Sequence, residues 1–151
     1  MKRFASVILV DRRGWILMQE RDEHPLIDPE LWSLSGGHVD EGEEFEPAAY
    51  RELAEETGVE LAPGTLRLFE EFDIWHEVYG STDRLAVYVA GVDLSDDDID
   101  CREGRQIVFV DPATLDGLPL SETAGIVVPA LLASPIYADL RADRGASHPN
   151  R

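Results

Sequence analysis

The chain has 151 residues, 44% of them hydrophobic, which is enough for one domain with its own core. Its formal net charge of −18 disfavours a long nucleic acid or an anionic membrane as a partner, because both attract basic surfaces. Cys101 is the single cysteine, which excludes an intramolecular disulfide and a cysteine zinc site. A small phosphorylated substrate stays compatible with this charge if metal ions neutralise its site.

The N-terminal part of the chain predicts three strands with turns between them, from apolar runs bounded by polar or glycine-bearing segments. In order, we expect a strand at residues 4–10, a turn at residues 13–14, a strand at residues 15–20, a loop at residues 24–30 and a short strand at residues 32–34.

The first apolar run resembles the start of a signal peptide, since two basic residues precede it. It stops at Asp11, however, and no small-residue cleavage site follows. No apolar segment approaches the length of a membrane span. We therefore expect a cytoplasmic protein.

Residues 45–57 predict an amphipathic helix. Phe45, Ala49 and Leu53 recur at i, i+4 and i+8 and form an apolar stripe for the core. Gly58 suits the position after the last turn, where glycine adopts a left-handed backbone at no steric cost.

A second face of this helix carries three carboxylates, from Glu52, Glu55 and Glu56 at i, i+3 and i+4. Such a face repels itself unless a cation binds to it, and hard cations such as Mg²⁺ take oxygen ligands. Arg51 can reach Glu55 one turn on, and Glu43 can return to Arg51 and fix its direction. A solvated acidic surface is the alternative interpretation for any cluster of glutamates.

The C-terminal half predicts further strands and one more helix. We expect strands at residues 66–74, 85–92 and 106–110, a loop at residues 75–83, an acidic turn at residues 95–100 and a helix at residues 123–133 that Pro129 kinks or starts. Strands that alternate with two helices predict an α/β sandwich with a mixed β-sheet. The domain is expected over residues 1–138, followed by a polar, frayed tail over residues 139–151.

Nine positions in the segment 37–59 agree with one pattern, G-x5-E-x7-R-E-U-x-E-E-x-G-U, where U is aliphatic. The matching residues are Gly37, Glu43, Arg51, Glu52, Leu53, Glu55, Glu56, Gly58 and Val59. The segment resembles the box of the Nudix hydrolase family, and the match is complete. Two flanking positions depart from the usual pattern: Ser35 stands where proline is common, and Glu44 where a capping residue is usual.

The resemblance implies an α/β/α sandwich that hydrolyses a diphosphate linkage in a nucleoside diphosphate derivative, by water attack at phosphorus and with Mg²⁺ or Mn²⁺. It implies that Glu55 and Glu56 are the principal metal ligands and that the Gly37 carbonyl is another. Glu52 would be a ligand or the general base, and Arg51 would organise the box.

A glutamate outside the box contributes to metal binding or proton abstraction in several branches of the family. Glu103, in a turn before the strand at residues 106–110, is the candidate here. A solvated turn glutamate is the alternative.

Substrate choice must depend on residues outside the box. Trp75, His76 and Tyr79 lie in a predicted loop and can stack on a base, although packing is the more common role of such rings. Arg21 and Arg84 can each hold a terminal phosphate, with a plain surface charge as the alternative.

The compact chain is most similar to mutator-type nucleoside triphosphate pyrophosphohydrolases, which release a monophosphate and pyrophosphate. A nucleotide sugar or a dinucleoside polyphosphate stays an alternative substrate, and a non-catalytic nucleotide-binding or regulatory module stays the second hypothesis. Exposed apolar strand edges are compatible with a homodimer, which stays a hypothesis.

Overall fold

We describe residues 1–142 from a computed structural model. They form seven strands, three α-helices and two short 3₁₀ segments, at residues 96–98 and 112–117. The strands are β1 (Arg3–Val10), β2 (Ile16–Glu20), β3 (Trp32–Ser33), β4 (Ser35–His38), β5 (Arg67–His76), β6 (Ser81–Gly91) and β7 (Gln106–Val110). The helices are α1 (Phe45–Thr57), α2 (Glu122–Leu132) and α3 (Pro135–Ala142).

All seven strands belong to one mixed sheet, as predicted. Its main path runs β3-β2-β1-β6-β5, with β4 paired to β1 and β7 paired to β2. β1 and β6 are parallel, in register from Arg3 opposite Arg84 to Val10 opposite Gly91, and the other pairs are antiparallel. The parallel pair lies inside the sheet and is covered on both faces, which explains the unbroken apolar run of β1.

Two apolar clusters lie on opposite faces of the sheet. Val7 of β1 belongs to the cluster under α1, whereas the next residue, Ile8, belongs to the cluster under α2 and α3. This alternation follows from the period of two in a strand. The predicted α/β/α sandwich is therefore confirmed.

α1 begins and ends where the apolar stripe predicted. Ala49 and Leu53 are buried against the sheet. Gly58 adopts the left-handed conformation at φ 74°, and its N–H donates to the carbonyl of Ala54.

The loop predicted at residues 75–83 is wrong in its bounds. β5 continues to His76 and β6 begins at Ser81, so that only a tight turn separates the two strands. These polar and aromatic residues were predicted as a loop because β5 is an edge strand with much of its surface exposed, and it therefore lacks the apolar pattern of a buried strand.

The C-terminal end has one helix more than predicted. α2 begins at residue 122, capped by the Ser121 hydroxyl, and includes Pro129, whose missing N–H falls on an exposed side of the helix. α3 extends past residue 138 to Ala142, and Leu140 within it is only 3% exposed. The first residues of the predicted tail, up to Ala142, are therefore helical, and residues 143–151 lie outside the described part.

No single helix in residues 1–142 is long and apolar enough to cross a membrane; α2 and α3 meet the criteria of length and composition only as a pair bent by 78°.

Candidate active site

A cleft of about 350 Å³ lies beside the glycines of β4 and the carboxylate face of α1. Its two ends have different chemistry. The carboxylate end is lined by Gly36, Gly37, Glu52, Glu56 and Glu103. The ring end is lined by Phe4, His38, His76 and Tyr79. The floor between them includes Ser6, Leu34, Ile74 and Leu85.

The two glycines of β4 permit two close approaches, of Gly36 to strand β1 and of Gly37 to a carboxylate of α1. A Cβ on Gly36, which has φ 151°, would lie 2.2 Å from the Ala5 carbonyl oxygen. A Cβ on Gly37 would lie 2.7 Å from the Glu52 carboxylate. The Gly36 N–H donates to Glu56 Oε1 at 3.1 Å, so the strand also orients one carboxylate of the helix.

Arg51 connects the carboxylates of this segment. It donates twice to Glu43, both times at 2.8 Å, and to Glu52 at 3.0 Å, and it approaches Glu55 at 3.2 Å. A further N–H donates to the His38 carbonyl at 3.0 Å. Hydrogen bonding to Arg51 lowers the pKa of Glu43 to about 2. The contact between Glu43 and Arg51 is the one expected from the sequence.

Glu56 contacts Glu103 at the carboxylate end of the cleft, which Glu52 also lines. Burial raises the pKa of Glu56 to about 10, helped by a hydrogen bond with Glu103 and by the Glu103 charge. Burial also raises the pKa of Glu52, against the opposing effect of Arg51, and the Glu55 and Glu103 charges add to the increase. Without a cation, full ionisation of these carboxylates is therefore unfavourable.

Glu103 reaches this end of the cleft because its loop caps the C-terminal end of α1. The backbone N–H groups of Asp100 and Arg102 donate to the carbonyls of Thr57 and Glu56, at 2.9 and 2.8 Å. On the other side, Gln19 of β2 donates to the Glu103 carbonyl at 2.9 Å. The loop is therefore held between α1 and β2, with the Glu103 side chain beside Glu56.

The donor set fits a hard divalent cation. Three carboxylates and the backbone of Gly37 supply oxygen only, which is the preference of Mg²⁺ and Mn²⁺. Burial and the neighbouring carboxylates raise the pKa values of Glu52 and Glu56, so a cation bound there would favour their ionised forms.

The family model described as "NUDIX domain" matches residues 2–130. The chain belongs to the Nudix family. A protein from Bacillus subtilis (strain 168), named provisionally as an 8-oxo-dGTP diphosphatase, is 45% identical over 58 residues, or 38% of this chain and 36% of that protein. An RNA pyrophosphohydrolase from Novosphingobium aromaticivorans is 43% identical over 55 residues, or 36% of this chain and 33% of that protein.

These matches span about a third of the length of the two curated relatives. A solved structure covers more: that of a MutT Nudix hydrolase from Burkholderia pseudomallei matches with a TM-score of 0.67 and 26% identity, over 85% of this chain and 95% of that one. The family predicted from the box is confirmed, and so is the Nudix fold.

Glu55 differs from the other two glutamates of the Nudix helix. Its side chain is 58% exposed, and Arg51 pairs with it at 3.2 Å. Among the described residues, the cleft lining includes Glu52 and Glu56 but not Glu55. Its predicted role as a metal ligand stays a prediction.

The five predicted substrate residues divide into two groups. Arg21, His76 and Tyr79 line the cleft. The Nε of Arg21 is buried and has no hydrogen-bond partner within residues 1–142. Its role in holding a phosphate stays a prediction.

Trp75 and Arg84 are outside the described lining of this cleft. Trp75 is 49% exposed, and its indole N–H donates to Glu77. Arg84 pairs with Glu71 and Asp73 at 3.0 and 2.8 Å, which favours the plain surface charge over the phosphate role.

Some cleft residues were not predicted from the sequence. Phe4 and Ser6 point into the cleft from alternate positions of β1, and Ser6 left a weak signal as a polar residue in an apolar run. No sequence signal indicated Thr123 of α2, which lines the cleft, or Asp83, which contacts His76 behind it. Both residues come close to the site only through tertiary packing.

Proposed function

We propose that this protein is a divalent-metal-dependent Nudix pyrophosphohydrolase that cleaves a diphosphate linkage in a small nucleotide. The substrate we favour is a nucleoside or deoxynucleoside triphosphate, cut to the monophosphate and pyrophosphate. One observation carries the proposal: Glu52, Glu56 and Glu103 line one cleft beside Gly37, whose missing side chain leaves room for the Glu52 carboxylate.

Each residue has a role in this proposal. Glu52, Glu55, Glu56 and the Gly37 carbonyl would hold Mg²⁺, or Mn²⁺ in its place. When bound, the cation offsets the negative charge of the diphosphate and acidifies a water molecule. Arg51 keeps Glu52 and Glu55 in position, because its guanidinium is itself fixed by Glu43 through two bonds.

The general base is Glu52 or Glu103. Both lie at the carboxylate end, and each would take a proton from the attacking water while the diphosphate lies beside it. Glu103 is the stronger candidate, since its loop is anchored on both sides and Arg51 does not bind it in the described structure.

The nucleoside part would lie over the apolar floor toward the ring end. The rings of Phe4 and His38 are 4.4 Å apart, and His76 and Tyr79 complete this wall. The two curated relatives act, by their names, on phosphate linkages of nucleotides or RNA. With a net charge of −18, a small nucleotide suits this chain better than a long RNA.

Two alternatives follow from the same site. A nucleotide sugar or a dinucleoside polyphosphate carries the same diphosphate, and only turnover separates these substrates. A non-catalytic nucleotide-binding module is the second function, but it would not need three crowded carboxylates at the end of its cleft. A cytoplasmic location stays a prediction, and so does a homodimer.

The test is product release from a panel of nucleotides with Mg²⁺, for the wild type and for Glu56→Gln and Glu103→Gln. Exposed Glu60, changed to Gln, is the matched control. We expect turnover by the wild type and the control, and large losses in the other two. Tight nucleotide binding without turnover in any variant would establish the binding module instead. In oxygen-18 water the label should enter a phosphate product, and label in a sugar hydroxyl would refute attack at phosphorus.

A further inference from the structure

A buried carboxylate lies behind the ring end of the cleft. Asp83 is 0% exposed and accepts hydrogen bonds from the Lys2 backbone N–H at 2.7 Å, the Ser81 hydroxyl at 2.8 Å and His76 Nδ1 at 2.7 Å. Burial by itself raises the pKa of Asp83, but these donors together outweigh it and lower the pKa. Asp83 is therefore ionised, and since a carboxylate only accepts, the proton lies on Nδ1 of His76.

The His76 ring is held in one orientation. The Phe4 ring contacts it edge-on with centroids 5.1 Å apart, and the Tyr79 ring does so at 6.1 Å. Because Nδ1 is engaged by Asp83, the other ring nitrogen, Nε2, is the one available to a ligand. In the neutral ring, Nε2 is a hydrogen-bond acceptor. His76 lines the cleft.

His76 and the carboxylates lie on opposite sides of the cleft. Glu56 is bound by Gly36 of β4, His76 belongs to β5, and strands β1 and β6 lie between these two strands in the sheet. Ile74 and Leu85 line the apolar floor between them. A nucleotide with its phosphates at the carboxylates would thus direct its nucleoside toward His76.

We infer that His76 is a specificity-determining residue, which accepts a hydrogen bond at Nε2 from an O–H or N–H donor on the nucleoside part of the substrate, and that Asp83 is its positioning residue. The inference rests on the proposed function, because it requires the phosphates at the carboxylate end. A lone acceptor beside an apolar floor discriminates well, since a substrate without the matching donor leaves it unpaired.

The donor is a sugar hydroxyl or an exocyclic amine, and substrate pairs distinguish the two. Ribonucleoside triphosphates paired with their 2′-deoxy and 3′-deoxy forms probe the sugar. ATP paired with purine riboside triphosphate, and GTP paired with ITP, probe the base. The quantity measured is the ratio of kcat/KM within each pair.

His76→Asn is the decisive variant, because the Asn amide can still donate to Asp83 but has nothing in place of Nε2. We expect the wild type to prefer the donor-bearing member of one pair by about tenfold or more. In His76→Asn that ratio should fall to within about twofold of unity, mainly through KM. Asp83→Asn should lower the kcat/KM ratio less than His76→Asn does, because Asn keeps one of the two acceptor oxygens that can hold the His76 ring. Val78→Ala, in the exposed turn after β5, is the control and should keep the wild-type ratio.

If His76 has only a structural role, the substitution should lower kcat/KM equally for both members of a pair. An unchanged ratio in His76→Asn would therefore overturn the inference, but it would leave the proposed nucleotide cleavage intact. A wild type without preference in any pair would overturn it too. A wild type that neither cleaves nor binds any nucleotide of the panel would overturn the proposed function and this inference with it. If His76→Asn does not fold, as judged by thermal unfolding, His76→Phe is measured on the same pairs, with the same two outcomes.

Discussion

The two ends of the cleft each contain a buried carboxylate, and the pKa of that carboxylate is shifted in opposite directions. At the carboxylate end, Glu56 lies beside Glu103 and its pKa is raised. At the ring end, Asp83 is also closed off from solvent, yet its pKa is lowered because three donors surround it. The comparison shows that a carboxylate with several donors keeps its charge when it loses contact with water, whereas one that lies deep in the protein beside a second carboxylate does not. The first end is where we propose a cation, whereas the donors of the protein itself already surround Asp83 at the second.

The largest expected effect is on catalysis at the carboxylate end. Glu56→Gln removes a proposed metal ligand. Mutation of residues that only support a metal ligand typically lowers metal affinity or activity by about 10- to 100-fold, so we expect the loss of a ligand to lower kcat/KM by at least about 100-fold. Steady-state kinetics against the Glu60→Gln control measures it. A loss below about tenfold would show that Glu56 is not a ligand.

The next effect is on stability at the ring end. Asp83→Ala leaves three buried or half-buried donors without their acceptor, and we expect a loss of about 3 kcal/mol in the free energy of unfolding. Urea denaturation measures it. The folded pKa of Asp83 is lowered, so its stabilisation is present above its unfolded pKa and is lost as the pH falls through the folded pKa. The difference between wild type and variant should therefore shrink at acid pH.

A smaller catalytic effect is expected at Glu43, which contacts the proposed ligands only through Arg51. Glu43→Gln weakens the two bonds that fix Arg51, and kcat should fall by about 10- to 100-fold with little change in KM. Glu46→Gln, in the first turn of the same helix and exposed, should match the wild type. Equal losses in both variants would point to a general effect of charge removal.

Without metal, the carboxylate end should respond to pH in the opposite direction to Asp83. The folded pKa of Glu56 is raised to about 10, so the folded state retains a proton that the unfolded state has lost. Stability in a chelating buffer should therefore fall as the pH rises from 5 to 8, and Glu56→Gln should flatten this slope. Thermal unfolding at several pH values checks it. A wild-type slope unchanged in the variant would refute the assignment to Glu56.

The smallest effect is expected outside both ends. Arg84→Gln removes a guanidinium that pairs with Glu71 and Asp73 on an exposed face, and exposed pairs contribute about 0–1 kcal/mol. Nucleotide kcat/KM should stay within about twofold of wild type. A large rise in KM would restore the phosphate role that the sequence left open for Arg84.

Local patterns predicted α1 well. The stripe of Phe45, Ala49 and Leu53, the carboxylates on another face, and the Gly58 cap all lie within one helix, whose 3.6-residue period fixes their relation. The turn between β5 and β6 was predicted too long, because the residues of an exposed edge strand are as polar as a loop.

The family and the Nudix helix could be predicted from the sequence alone, since both depend on residues a few positions apart. Tertiary structure decided which distant residues join them. Glu103 reaches Glu56 only because its loop caps the end of α1, and Asp83 meets His76 only through the pairing of β5 with β6. Such contacts depend on docking and register, which no local spacing encodes. The carboxylates of the helix were therefore predictable, and the partners that complete the two ends of the cleft were not.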